Sequence, residues 1–353
     1  MKKSVLIFTA VILLSGELFA AGKTGKAGKS AKASKTGAKD DTSIIQQIDL
    51  ENLEHKTDDT SAPVVYFIKD ISPEGMLKLY NVLGWTPVGK TGVKISTGEP
   101  PASNYLRPAL LKATVQKVNG TIVECNTAYG GSRASTAMHK QVVKDHGFLE
   151  IADFDLLDEE GIMSIPINGG KRLKEDYVGN HFKNYDSYLV ISHFKGHAMA
   201  GFGGAIKNLS IGFGSGSSSE KSGKVWIHSG GKKTKGSILG QQLPFLEAMA
   251  DAAKGVCNYM NGGKNIAFIN VLNRLSVDCD CDGTPDEPDM HDIGMLASLD
   301  PLAIDQASID MIYIAPDSAS LRKRIESKQG LHTLEAADEI GLGSRNYRLV
   351  VIE

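Results

Sequence analysis

The stretch "SYLVISHFKGHAMAGFGGAIKNLSIG", Ser187 to Gly212, decides the fold class. Its first six residues are a short, mostly apolar run, which reads as a buried strand. Glycines at 201, 203 and 204 mark a turn, and a helix carrying Lys207 is predicted to start near Gly204. Similar strand and helix patterns lie on both sides. Upstream, "VVYFI" (64–68), "GVKIS" (92–96) and "GTIVEC" (120–125) read as strands. Helical patterns at 72–84, 107–118 and 134–147 alternate with them. The first opens with Ser72 as N-cap and Pro73 in the first turn, and closes on Gly84. Downstream come a helix over 244–260, the strand "NIAFINVL" (265–272), a helix over 300–314 and the strand "YRLVVI" (347–352). This alternation predicts an α/β fold: a mostly parallel sheet flanked by helices, in two lobes with a cleft between them.

Residues 1–20 read as a secretory signal peptide. Lys2 and Lys3 precede an apolar run from Val5 to Leu14, too short to span a bilayer, and small residues follow at Ala20 and Ala21. Residues 21–60 read as a flexible linker rich in Lys, Gly, Ser and Ala, with no apolar face to order it. The folded domain is expected over 61–353, in the periplasm or outside the cell, with no transmembrane helix after cleavage.

The basic start masks an acidic body. Without Lys2, Lys3, Glu17 and the six lysines of 21–39, 31 basic residues face 40 acidic ones, a formal −9. Such a body is a poor nucleic-acid binder. The four cysteines, Cys125, Cys257, Cys279 and Cys281, are too few for a disulfide scaffold, although export would allow a Cys125–Cys257 bridge.

"GWTPVGKT", Gly84–Thr91, matches the spacing of a phosphate-binding P-loop. The order around it is helix–loop–strand, the reverse of what phosphate binding at a helix N-terminus needs, so nucleotide binding is not expected.

Other polar clusters fall at strand carboxyl ends, where open α/β sheets bind ligands. Ser96 and Thr97 follow one strand, Glu124 ends the next, and His193 follows "SYLVIS". His193 and His197 stand four apart, so one helical turn would align them for a metal. Backbone N–H groups at Gly203 and Gly204 could hold a carboxylate or phosphate. Ser132 and Arg133 complete the expected substrate wall, the guanidinium suiting a carboxylate.

In "DCDCDGTPDEPD", Asp278, Asp280, Asp282 and Gly283 match the opening of a calcium loop, with Asp286 and Asp289 at its ninth and twelfth positions. Cys279 and Cys281 would face the opposite side of an extended segment and could form a redox-active pair. The five residues Asp278–Asp282 are the expected seat of a divalent metal ion.

"VKISTGEP", "SHFKGHAMAGFGGAIKNLSIG" and "DCDCDGTPDEPDMHDIGMLASLDPLAIDQAS" together resemble the domain-of-unknown-function 362 family, whose members are often labelled iron–sulfur proteins; the resemblance runs from about Val64 to Glu353. The ferredoxin-type cysteine runs of some members have no counterpart here. "HAMAGFGGAIK" is also similar to the H-x-x-A-G-F-x-G-G-x-K motif of nickel-pincer lactate racemases. That resemblance implies Lys207 as the cofactor lysine and His197 as an acid–base histidine. Ser132, in "GGSR", stands where a second catalytic histidine would be, and Gly223 falls near a nickel-ligand position, with His228 a neighbour.

The expected function is an exported metal-binding protein acting on a small anionic molecule, by isomerisation or redox chemistry at a hydroxy-acid carbon. His193, His197 and Lys207 would be its catalytic groups. The alternative is a non-catalytic protein that sequesters metal or a small anion. N-terminal sequencing of the protein from its native host should begin near Ala21. A mature chain beginning at Met1 and recovered from the cytoplasm would contradict export.

Overall fold

A computed structural model describes residues 48–216, 222–232 and 241–353. The signal peptide and most of the linker expected from the sequence lie outside these residues. In chain order the strands are β1 (Val64–Ile68), β2 (Thr91–Lys94), β3 (Thr121–Glu124), β4 (Phe154–Leu156), β5 (Ile162–Pro166), β6 (Glu175–Gly179), β7 (Ser187–His193), β8 (Lys195–His197), β9 (Gly201–Gly203), β10 (Ile266–Leu272), β11 (Gly294–Ser298) and β12 (Arg348–Ile352). The α-helices are α1 (Pro73–Val82), α2 (Pro108–Lys117), α3 (Thr136–Asp145), α4 (Ala205–Phe213), α5 (Gly223–His228), α6 (Gln242–Tyr259), α7 (Pro301–Ile314), α8 (Ala319–Ser327) and α9 (His332–Glu339).

The main sheet has eight strands in the order β12-β1-β11-β10-β7-β2-β3-β4. β11 runs antiparallel to both its neighbours, and every other pairing is parallel. Both faces of the centre are covered, so the central strands are mostly apolar and buried along their length. Along β10, Ile266, Phe268 and Leu272 join the core on one face, while Ala267, Ile269 and Val271 join the core on the other. Asp40–Glu353 forms one compact unit; the two lobes expected from the sequence are not seen.

The winding of the chain sets the ligand position. After β2 it proceeds outward to β3 and β4; it then returns to β7, on the other side of β2, and proceeds to β10. The connections diverge between β2 and β7, and a crevice opens there at the carboxyl ends of the strands. "GWTPVGKT" lies on the opposite edge, between α1 and β2. There Lys90 N–H donates to Asp186 (2.8 Å) and no helix follows, in line with the non-nucleotide reading.

Residues 48–60, expected to be linker, are anchored. Leu53 is buried in the core, His55 N–H and Nδ1 both meet Asp310 (3.0 Å each), and Thr57 N–H donates to the Tyr347 carbonyl (2.9 Å). Among the described residues no helix is long and apolar enough to cross a membrane.

One pair of glycines shapes the start of α4. Gly203 and Gly204 precede α4, whose first N–H groups were expected to face an anionic ligand. A protein carboxylate is there instead. Asp305 of α7 accepts from Ala205 N–H (2.7 Å) and Ile206 N–H (2.9 Å), and from Asn270 Nδ2 (2.8 Å). A Cβ at Gly204 would lie 2.3 Å from Asp305 Oδ1, so glycine is what lets the helix end and the carboxylate meet. Gly204→Ala should therefore lower stability by about 1–3 kcal/mol in urea denaturation. An unchanged midpoint would show that this contact does not constrain the fold.

Candidate functional site

A cavity of about 260 Å³ lies at the β2/β7 crevice. β2 delivers Lys94 to it, and the β3 end delivers Glu124. β7 and β8 bring His193, Lys195 and His197; α4 brings Lys207 and Asn208; α5 brings Lys224 and His228; the 276–283 loop brings Cys279 and Cys281.

The walls are held by two buried polar groupings joined through the backbone. In the first, Asp280 meets His193 Nδ1 (2.8 Å) and Lys195 Nζ (3.1 Å). His193 Nε2 also faces the Asn273 carbonyl (2.7 Å), so both of its bonds form at once only when both ring nitrogens carry hydrogen. Burial alone would raise Asp280, but His193 and Lys195 outweigh it and hold the carboxyl well below the usual carboxylate range. The Asp280 carbonyl accepts from Glu99 N–H (2.8 Å), which opens the second grouping. There Arg133 reaches Glu99 (3.1 Å), Glu124 (3.0 Å) and Tyr129 Oη (2.9 Å), while Thr97 and His139 hold the other Glu124 oxygen. Burial raises Glu124, yet Arg133 and His139 bring it well below its ordinary value.

The expected site residues divide accordingly. Ser96, Glu124, Arg133, His193, His197, Lys207, Gly203, Gly204, Cys279 and Cys281 all line the cavity. Thr97 is buried behind Glu124, and Ser132 gives its N–H to Glu99 without lining the cavity. Arg133 is occupied by protein partners, so its guanidinium is a brace and not a free carboxylate clamp. His193 and His197 fall on successive strands and not on a helical turn; His193 is spent on Asp280.

The acidic loop is also split. Asp280 points inward, Asp278 lies 3.6 Å from Arg324, and Asp282 accepts from Thr284 N–H (2.9 Å), so the three carboxylates do not share an ion. A turn closed by Asp282 N–H on the Cys279 carbonyl (2.8 Å) instead puts the two thiols together, Sγ to Sγ 2.6 Å. Ligand atoms of His197, Cys279 and Cys281 lie within 4.8 Å of one another.

The electrostatics favour a thiolate here. The Cys281 S–H lowers Cys279 well below the ordinary thiol value; burial opposes this, and His197 and Lys207 reinforce it. Cys281, as the donor, moves up. His197 Nδ1 accepts from Met199 N–H (3.2 Å) and Ala200 N–H (2.9 Å), leaving Nε2 to carry the proton of the neutral ring. Burial and then Lys207 keep that ring neutral. His228 has the reverse arrangement. Its Nδ1–H donates to the Lys224 carbonyl (2.6 Å), which frees Nε2, and burial pulls it down to about 4.

Three lysines of the cavity have no carboxylate partner among the described residues: Lys94, Lys207 and Lys224. Lys94 is fully buried, with Nζ on the Ile95 carbonyl (2.7 Å) and Asn208 Oδ1 (2.9 Å); burial pulls it down to about 8, against the pull of Glu124. Lys94 and Lys224 were not singled out from the sequence. Lys94 had a readable signal, a lysine at the carboxyl end of an otherwise apolar strand.

These residues do not match an iron–sulfur cluster, and they match the nickel-pincer resemblance only in part. An iron–sulfur cluster takes four ligands. Only Cys279 and Cys281 stand together; the Cys125 thiol donates to the Phe213 carbonyl (3.3 Å), Cys257 lines a separate pocket, and all four are free thiols. Of the residues that the nickel-pincer resemblance names, Lys207 and His197 line the cavity, and Ser132, in the place of the second histidine, does not.

No curated protein matches the chain. Among solved structures it is similar to the lactate racemase apoprotein of Thermoanaerobacterium thermosaccharolyticum, at 17% identity and a TM-score of 0.34, over 58% of this chain and 50% of that one. It is also similar to a protein of Thermotoga maritima, at 12% identity and a TM-score of 0.38, over 70% of this chain and 58% of that one. The chain thus spans only half to three-fifths of the length of either. The model of a family described as "Domain of unknown function (DUF362)" matches residues 91–310. That span runs from the start of β2 into α7 and contains every residue that lines the cavity, and the chain belongs to the DUF362 family.

Proposed function

We propose that this protein is exported and binds a small, multiply charged anion in the β2/β7 cavity, next to a soft divalent metal ion at His197, Cys279 and Cys281. One observation carries the reading. Lys94, Lys207 and Lys224, none of them in a salt bridge with a carboxylate among the described residues, line one small cavity of a body with a formal charge of −9. Lys94 and Lys224 are buried with only neutral hydrogen-bond acceptors, and an anionic ligand would offset the cost of their charge.

Two thiolates and an imidazole suit a soft ion and leave a coordination position open to a ligand. His197 can offer Nε2 to a metal only by shifting its proton to Nδ1, which gives up the bonds from Met199 and Ala200 N–H, and the protons released on metal uptake should come from the thiols. Metal-dependent isomerisation or redox chemistry at a hydroxy-acid carbon is the catalytic form of this reading. The second form, sequestration of metal or anion, draws on Arg133 and His193, which are both tied into the scaffold and leave few free groups for proton transfer.

Calorimetric titration with malonate and with L-malate at low salt, with and without Zn²⁺, tests the proposal. Binding should weaken at least ~5-fold in Lys207→Met, since an adjacent charge is worth ~1–4 kcal/mol. Affinity should also fall as pH rises through about 8, because Lys94 then loses its proton; Glu124, Arg133, Lys224 and Cys125 set that value together with burial. Absence of anion binding, or identical affinity in the variant, would contradict the reading. Turnover of a bound hydroxy acid would decide for the enzyme, and binding alone for sequestration.

A further inference from the structure

The cysteine pair has a chemistry of its own, independent of any metal. We infer that Cys279 and Cys281 form a redox-active dithiol that exchanges with small-molecule disulfides in the cavity, Cys279 attacking and Cys281 resolving.

The geometry supports each role. The two residues occupy the first and third positions of one turn, so their side chains emerge on the same side, 2.6 Å apart at sulfur. That is within reach of a covalent S–S bond of about 2.05 Å after a small side-chain adjustment. The turn is fixed in the reduced protein. Arg324 donates to the Val277 carbonyl (2.7 Å), Glu99 N–H to the Asp280 carbonyl (2.8 Å) and Ala102 N–H to the Gly283 carbonyl (2.9 Å). Both cysteines are half-buried and line the cavity, so a small reagent can reach them, whereas Cys125 and Cys257 are buried.

The two sulfurs are not equivalent. Cys279 Sγ receives the Cys281 N–H (3.3 Å) and the Cys281 S–H, and it shares the cavity wall with His197 and Lys207. Cys281 receives nothing comparable in return from the described residues. A sulfur that collects donors is the one that attacks; the sulfur that donates is placed to resolve.

The reaction balances without a metal or an outside electron carrier. The Cys279 thiolate attacks one sulfur of RS–SR, forming a mixed disulfide and releasing RS⁻. Cys281 then gives up its proton and attacks the Cys279 sulfur, forming the intramolecular disulfide and releasing the second RS⁻. The proton lost by Cys281 and one from solvent convert the leaving groups to two RSH. The disulfide is the oxidant and the protein dithiol the reductant; a dithiol reductant of the same class reverses the process.

Two reagents test this on the full chain in the presence of a chelator: 3,3′-dithiodipropionate, which is anionic, and 2-hydroxyethyl disulfide, which is neutral. Intact-mass and peptide mapping of the wild type should show a Cys279–Cys281 disulfide and no retained reagent. Cys281→Ser should stop at a mixed disulfide on Cys279. Cys279→Ser should react at least ~10-fold more slowly. Exchange with both reagents at equal rates would support the dithiol while contradicting the anion site, so the two readings fail separately. Stable mixed disulfides on both cysteines of the wild type, or a Cys279→Ser variant that reacts as fast as the wild type, would overturn the assignment.

Discussion

The site depends on one buried carboxylate. Asp280 is 1% exposed, and it holds together segments far apart in sequence. Its side chain pairs with His193 at the end of β7 and Lys195 at the start of β8, and its carbonyl receives the loop that follows β2. A charge so deeply buried is tolerated only with partners, and each partner is equally dependent on it. The consequence is positional. With Asp280 turned inward, the residues on either side of it in the chain turn outward, and these are the two cysteines that face the cavity.

The charges around the cavity are arranged in tiers. The carboxylates near it, Asp280, Glu99 and Glu124, are all taken up by His193, Lys195, Arg133 and His139. The free N–H groups at the start of α4 are taken up by Asp305. What remains toward the open space is cationic and soft: Lys94, Lys207 and Lys224, two neutral imidazoles and a thiol–thiolate pair. This selection distinguishes groups that build the site from groups available to a ligand, and residue type alone does not reveal it.

Much of the fold was legible because its signals are local. The strands at 64–68, 120–125, 187–192 and 265–272 are apolar runs, and Ser72–Pro73 and Asp300–Pro301 mark helix starts by their capping chemistry. β11 was missed: "GMLAS" has no β-branched residue, and its place between β1 and β10 is decided by long-range pairing. The β8–β9 hairpin was missed because "KGH" and "GFG" read as glycine-rich loop. In the site, alternation along "DCDCD" correctly separated cysteines from aspartates, but not which set faced inward. That choice belongs to His193 and Lys195, some 85 residues away. The expected role of Arg133 as a free clamp failed for the same reason: Glu99 and Glu124 reach it first.

The most direct measurement is the stability of Asp280→Asn against wild type by urea denaturation across pH. Because its partners hold Asp280 below the ordinary carboxylate range, its contribution is complete above about pH 4 and is lost as pH falls toward its folded value. The account predicts that the variant is about 3 kcal/mol less stable at pH 7, the cost of leaving buried cations unpaired, and that this gap narrows as the solution is acidified below pH 4. Equal stability of the two proteins at neutral pH would contradict it.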